Sequence, residues 1–405
     1  MESLHKLYKI GYGPSSSHTL APAAACQQYL EENKLVDHVL VELYGSLSLT
    51  GKGHFTDVII RKTFGNIPCD IQFKQDWEEH FPNGFYIYGF NNTNNLICKW
   101  TIFSVGGGNY QILEKPDCNG SKVYSEKNMT EIMTFCQSQE LTFFDYVMLK
   151  EPTIDQWLSE ILLVMLDSVE IGLNTTGLLP GKLKMKRCAK SLFMKAETLQ
   201  DRAQQQRLKQ VAYAYAASEQ NASVQKVVTA PTLGSCGIMA GLMYYYHNDE
   251  GISYSQLIQA LAIGGLFGNV IKTNATISGA VGGCQAEVGA ACCMAAAASA
   301  YLSGATMKQI EYAAEIAMEH HLGLTCDPVG GYVIIPCIER NGVGILRALD
   351  AALMAKCLDE IKENRIRFDM VVNTMSYTGQ KIPLELKETS LGGLAMEIQV
   401  GDNHE

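Results

Sequence analysis

The sequence predicts two joined units, an α/β N-terminal half over residues 1–150 and an all-helical half over residues 151–405. Three observations predict it. Short runs of strand-like residues, bounded by Gly, Pro and Asn, recur between residues 38 and 105. From Thr153 the apolar residues recur at helical spacing, and the only strand-like run beyond it is a short one at 332–335. A chain of 405 residues is also more than one core usually accommodates.

In the first half, Ser15-Ser16-Ser17-His18-Thr19 supplies capping hydroxyls and the helix former at 23–30 follows. A helix start with free N–H groups suits a carboxylate, although a plain N-cap also explains it. Residues 38–43 alternate and read as a strand. Gly51-Lys52-Gly53-His54 breaks that strand with a tight turn. A histidine between such neighbours could act as an acid or base, or be incidental. Strands are expected at 58–62, 70–73, 85–90 and 97–105, and a helix at 129–139. Gly106, Gly107 and Gly108 read as a turn, since no Lys-Ser/Thr pair follows to make a phosphate loop.

In the second half, helices are expected at 154–173, 183–187, 192–219, 237–247, 255–267, 287–302, 306–321 and 345–363. Thr306 with Gln309 forms a capping box. Residues 288–305 carry no charge and are mostly alanine, which predicts a tightly packed interior helix. Ala230-Pro-Thr-Leu-Gly-Ser-Cys-Gly237 precedes a helix. It either offers hydroxyls and N–H groups to a small anion or is a simple helix start. A short polar tail closes the chain at 401–405.

Composition narrows the function. A formal charge of −10 argues against nucleic acid and anionic membranes as partners. The 13 cysteines are an odd number, and the N-terminus carries no apolar signal region, so a reducing cytoplasmic setting is expected.

Three of those cysteines sit in turn-rich settings. Cys284 follows Gly282-Gly283, Cys326 precedes Asp327-Pro328, and Cys337 follows Pro336. Such loops let a thiolate face an object held between them. Three thiolates suit an iron–sulfur cluster, and a cubane so held keeps one iron free as a Lewis acid. The cysteines could equally be buried small hydrophobes, since their spacings of 42 and 11 match no local zinc or ferredoxin pattern.

The wording of these stretches resembles the iron–sulfur-dependent L-serine dehydratases. The resembling segments are Gly13-Pro-Ser-Ser-Ser-His-Thr19, Gly51-Lys-Gly-His-Phe-Thr-Asp57, Ala230-Pro-Thr-Leu-Gly-Ser-Cys-Gly237, Asn274-Ala-Thr-Ile-Ser-Gly-Ala-Val-Gly-Gly-Cys284, Gly323-Leu-Thr-Cys326 with Cys337, and Lys387-Glu-Thr-Ser-Leu-Gly-Gly-Leu-Ala395. They run from near residue 4 to near residue 395. The resemblance implies that Cys284, Cys326 and Cys337 ligate a [4Fe-4S] cluster. It implies that the open iron takes the β-hydroxyl of L-serine, and that Ser15, Ser16, Ser17, His18 and Thr19 take the carboxylate. His54 is the expected base and Lys52 the second candidate. Thr232, Ser235 and Asn274 are further expected substrate contacts. The products would be pyruvate and ammonia, and a homodimer is expected. Many members read His-Thr-Met-Gly-Pro at His18-Thr19-Leu20-Ala21-Pro22, some read Glu-Val at Val281-Gly282, and some end in a cysteine where this chain ends in Glu405. A pyridoxal-phosphate enzyme would instead need a Schiff-base lysine. A non-catalytic amino-acid sensor would put structural zinc on the cysteines.

Overall fold

The computed structural model describes residues 1–115 and 122–398. The tail at 401–405 lies outside them. The chain is mixed α/β, with a small sheet region near the N-terminus and a mostly helical remainder.

Among the described residues the strands are β1 (Ile10–Tyr12), β2 (His38–Gly45), β3 (Cys69–Phe73), β4 (Asn83–Phe90), β5 (Leu96–Gly106), β6 (Asn109–Ile112) and β7 (Lys226–Val228). The main sheet has the order β3-β2-β4-β5-β6. Its neighbours are antiparallel except β2 and β3, which pair in parallel from Val39 with Cys69 to Leu43 with Phe73. A parallel pair needs a crossover, and here it includes the helix Thr56–Phe64. That helix replaces the strand expected at 58–62. Thr56, Ile60 and Phe64 are its buried positions, one helical turn apart. The Val-Ile-Ile run masked that period because five residues are too few to show it. The sheet's apolar core, with Val41, Phe85, Ile87 and Ile102, also includes Ala25 and Tyr29 from the helix Ala21–Glu32.

β1 and β7 form a separate antiparallel pair, with Tyr12 opposite Lys226. This strand was not expected after residue 150. It ties the segment before Ser15 to the segment before Ala230.

The larger core is built around the helix Ala290–Leu302, whose positions from Ala290 to Ala298 are all fully buried. Small side chains let its neighbours approach closely. A Cβ added at Gly264, on the helix Tyr254–Asn274, would stand 2.7 Å from the carbonyl oxygen of Met294. Tyr254–Asn274 is long and apolar enough to cross a bilayer, yet 72% of its most apolar window is buried inside the fold. The same core takes in Leu4, Leu7, Ile132, Phe143 and Val147, so the helices Met129–Ser138 and Phe143–Lys150 share it.

Other differences are local. The stretch expected as a helix at 183–187 returns as a tight hairpin, with Leu179 N–H donating to Met185 O at 2.7 Å. The helix expected at 192–219 is two, Ala189–Glu197 and Arg202–Ala222, the second capped by Asp201. Residues 332–335 form no strand but link a short turn, Val329–Gly331, to the helix Cys337–Leu358. The Thr306 capping box is present.

Candidate active site

Cys284, Cys326 and Cys337 line one small cavity, together with Ser15, His54, Gly234, Glu287 and Glu388. Each cysteine arrives on a different element. Gly283, at φ +71°, ends the short turn Gly279–Gly282 and leads into Cys284. A Cβ there would sit 2.8 Å from Leu324 O, so only glycine permits both the dihedral and the approach. Cys326 lies on extended backbone whose N–H donates to Leu386 O at 2.8 Å. Cys337 opens a helix of 22 residues, where free N–H groups and the positive dipole end favour a thiolate.

The segment after Leu386 straps the Cys326 loop. Glu388 N–H donates to Cys326 O at 2.6 Å, Ser390 Oγ to Pro328 O at 2.6 Å, and Leu394 N–H to Asp327 Oδ2 at 2.7 Å. Arg340 closes the far side, donating to Thr325 O at 2.6 Å. Gln285 fixes the Cys284 turn to the same loop, accepting from Gly323 N–H at 3.0 Å.

Two histidines face the strap. Their rings stack at 4.0 Å between centroids and 18° between planes. His54 Nδ1 lies 3.0 Å from Thr50 O, which can only accept. Nδ1 therefore carries the proton, and Nε2 keeps its lone pair. That nitrogen is 4.0 Å from Glu388 Oε1. His18 Nε2 meets Thr50 Oγ1 at 2.9 Å and Ser46 O at 3.1 Å, and His18 Nδ1 meets Ser15 Oγ at 3.2 Å. Gly53 brings the His54 turn onto the loop after Cys326, because a Cβ there would lie 2.6 Å from the backbone of Gly330 and Gly331.

Burial governs the electrostatics. It pushes His54 down to about 4, partly opposed by the Thr50 carbonyl. Burial, then the neighbouring His54, holds His18 well below its ordinary value. Both rings are neutral near pH 7. Burial raises Glu287 to about 7. It raises Glu388 further, with Glu287 adding to the effect and Ala280 N–H opposing it. A hydrogen bond from the Cys326 thiol lowers Cys284 and raises Cys326. Burial raises Cys337.

The expected site residues divide. Ser15 lines the cavity and His18 stands behind it. Ser16 and Thr19 are committed to the backbone: Ser16 Oγ accepts from Leu233 N–H at 3.2 Å, and Thr19 Oγ1 donates to Ser15 O at 2.5 Å. Ser17 O accepts from Ser104 Oγ. Thr232 and Ser235 bond each other at 3.0 Å, and Thr232 also bonds the Glu287 carboxylate. Two residues are not brought in. Lys52 is exposed and pairs with Asp57 at 2.5 Å. Asn274 is exposed at a helix end and donates to Lys127 O at 2.7 Å. The sequence reading missed Glu287, Glu388, Thr50 and Arg340. Glu388 stood inside a motif quoted above and Glu287 three residues beyond Cys284, where an acid near glycines and hydroxyls was the available signal.

The donor set fits an iron–sulfur group. Three thiols from separate elements surround one space. The wall opposite is open at Gly234, where an added Cβ would find no atom nearer than 3.7 Å. Among the described residues no lysine lines this cavity, where pyridoxal phosphate would need one as its Schiff-base partner.

Known proteins carry the same pattern. Residues 91–395 match the serine dehydratase alpha chain family and residues 3–64 the serine dehydratase beta chain family. L-serine dehydratase 1 of Escherichia coli (strain K12) is 37% identical over 98% of this chain and 100% of its own length. The L-serine dehydratases of Haemophilus influenzae and Helicobacter pylori (strain 26695) are each 35% identical, over 98% of this chain and 99% of their own. With matches this long, and with the shared motifs converging on one cavity, the chain belongs to the serine dehydratase family.

Proposed function

We propose that this protein eliminates water from L-serine and releases pyruvate and ammonia, using a [4Fe-4S] cluster held by Cys284, Cys326 and Cys337. The observation that carries this reading is that three thiols and the free Nε2 of His54 share a single cavity. When bound, a cluster with three protein ligands supplies one open iron as a Lewis acid for the β-hydroxyl.

The chain's own residues do the rest. Ser15, at the start of the turn leading into the helix Ala21–Glu32, offers its hydroxyl to the carboxylate. Ser16, His18 and Thr19 hold that hydroxyl in place through their bonds to Leu233, Ser15 and the Ser46–Thr50 segment. His54 takes the α-proton on Nε2, while the Thr50 carbonyl fixes its tautomer. Loss of the proton and of hydroxide, as water, leaves an enamine. The enamine tautomerises to an imine, and addition of water to the imine gives pyruvate and ammonia. Residues 1–150 thus contribute the carboxylate-binding and base residues, and residues 151–405 the thiols.

The test is anaerobic purification, followed by iron and sulfide analysis and a pyruvate assay on L-serine. The expected result is about four irons per chain and pyruvate formation lost on exposure to air. An iron-free protein with full turnover would refute it.

A further inference from the structure

We infer that Glu388, with Glu287 beside it, forms the subsite that receives the α-ammonium group of the amino-acid substrate. The inference rests on the dehydratase reading and deepens it. That reading finds partners for the substrate's carboxylate, hydroxyl and α-proton but none for its cation.

Glu388 is only 3% exposed and lines the cavity. Its two oxygens have different surroundings. Oε1 faces the histidines, 3.6 Å from His18 Nδ1 and 4.0 Å from His54 Nε2. Oε2 is buried; Ala280 N–H faces the carboxylate, but no hydrogen bond of ordinary geometry reaches Oε2. A buried polar atom without a partner is costly, and in a ligand cavity it marks a place where a ligand atom belongs.

A second observation shows which atom. A Cβ added at Gly279 would stand 2.6 Å from Glu287 Oε2 and 3.3 Å from Glu388 Oε2. The two carboxylates therefore converge over bare backbone. Arg340 stands nearby, but it donates to Thr325 O and Asp327 Oδ1 and to neither glutamate. Two acids aimed at one point call for a small cation with several N–H donors, and an α-ammonium is one. Glu287 is the lesser partner, since its carboxylate already takes a hydrogen bond from Thr232.

The placement also serves the chemistry. The α-carbon is one bond from the ammonium nitrogen. A cation seated on Glu388 therefore carries the α-proton to the histidine beside Oε1. A site built around such a donor rejects analogues that lack it, because the acids are then left unpaired.

The experiment uses the cluster-loaded enzyme and two non-reacting probes. L-Alanine keeps the ammonium and carboxylate. 3-Hydroxypropanoate keeps the carboxylate and β-hydroxyl. Binding is measured by anaerobic calorimetry on wild type and Glu388→Gln, with iron content matched. Glu388→Gln is expected to weaken L-alanine by about 100-fold or more and to leave 3-hydroxypropanoate within threefold. Equal weakening of both probes, or of neither, overturns the inference. A wild-type arm stands apart from the variant's folding: 3-hydroxypropanoate inhibiting at or below the KM for L-serine would also overturn it. A fully loaded wild type that forms no pyruvate refutes the dehydratase reading instead. Pyruvate formation with unmoved alanine affinity refutes only the ammonium subsite.

Discussion

Gly53→Ala tests the packing that seats the proposed base. Gly53 is not among the glycines with positive φ, so alanine is not barred there by a left-handed backbone. The obstacle is space. The new Cβ would lie 2.6 Å from Gly330 O and from the carbonyl carbon and oxygen of Gly331, against an ordinary contact of at least 3.4 Å. All three are backbone atoms, which cannot swing aside as a flexible side chain does. The two loops must part by about 0.8 Å, and one of them carries His54. Overpacking of this kind costs about 1–3 kcal/mol of stability. A displacement approaching 1 Å costs about 100-fold in rate. Thermal unfolding of the anaerobic enzyme and kcat/KM for L-serine should therefore both fall, with iron content largely kept. If Gly53→Ala matches wild type in both, the loop contact does not hold His54 in register.

Three further outcomes follow from the same geometry. Cys337→Ala should lose most iron and the cluster's visible absorbance, whereas Cys292→Ala, in the Ala-rich core helix, should keep both; equal iron in the two variants would contradict the ligand assignment. His54→Gln should keep the cluster but lower kcat by about 10²–10⁴-fold, as loss of a general base does, while Lys52→Gln should change kcat little because Lys52 pairs with Asp57 at the surface. Burial, then Glu319, raises Glu315 to about 8. Folding therefore favours its protonated form, and that stability is complete below the ordinary value of about 4.5 and is lost as pH rises toward about 8. Glu315→Gln should stabilise the fold relative to wild type more at pH 8.5 than at pH 5.5, by about 1–3 kcal/mol for a buried carboxylate oxygen without a partner, read from unfolding at the two pH values. A gap that narrows with rising pH would show the sign to be wrong.

Local pattern was enough where an element is long and one-sided. The alternation at 38–43 marked β2, and the chargeless run at 288–305 marked the central helix. It failed where the deciding contact is distant. Val58-Ile59-Ile60 has strong strand propensity, yet the chain is helical there because it must cross between parallel β2 and β3. Lys226–Val228 is three residues long and is a strand only because Ile10–Tyr12 lies beside it. At the site the same split appears. Lys52 and His54 stand two residues apart on one turn, and only packing separates the exposed amine from the buried ring.

The sequence by itself determined which chemistry is available: three cysteines on loops, two histidines among hydroxyls, and motifs shared with serine dehydratases from end to end. Residue type fixes what an atom can donate, accept or ligate, and that is legible without coordinates. Tertiary structure alone decided which of those atoms meet. It gathered Cys284, Cys326 and Cys337 into one cavity, turned Lys52 and Asn274 away, and set Glu388 in the lining of that cavity. Such choices depend on close approaches between segments hundreds of residues apart. Those approaches are set by the volumes of glycines and alanines packed in three dimensions, which spacing along the chain does not encode.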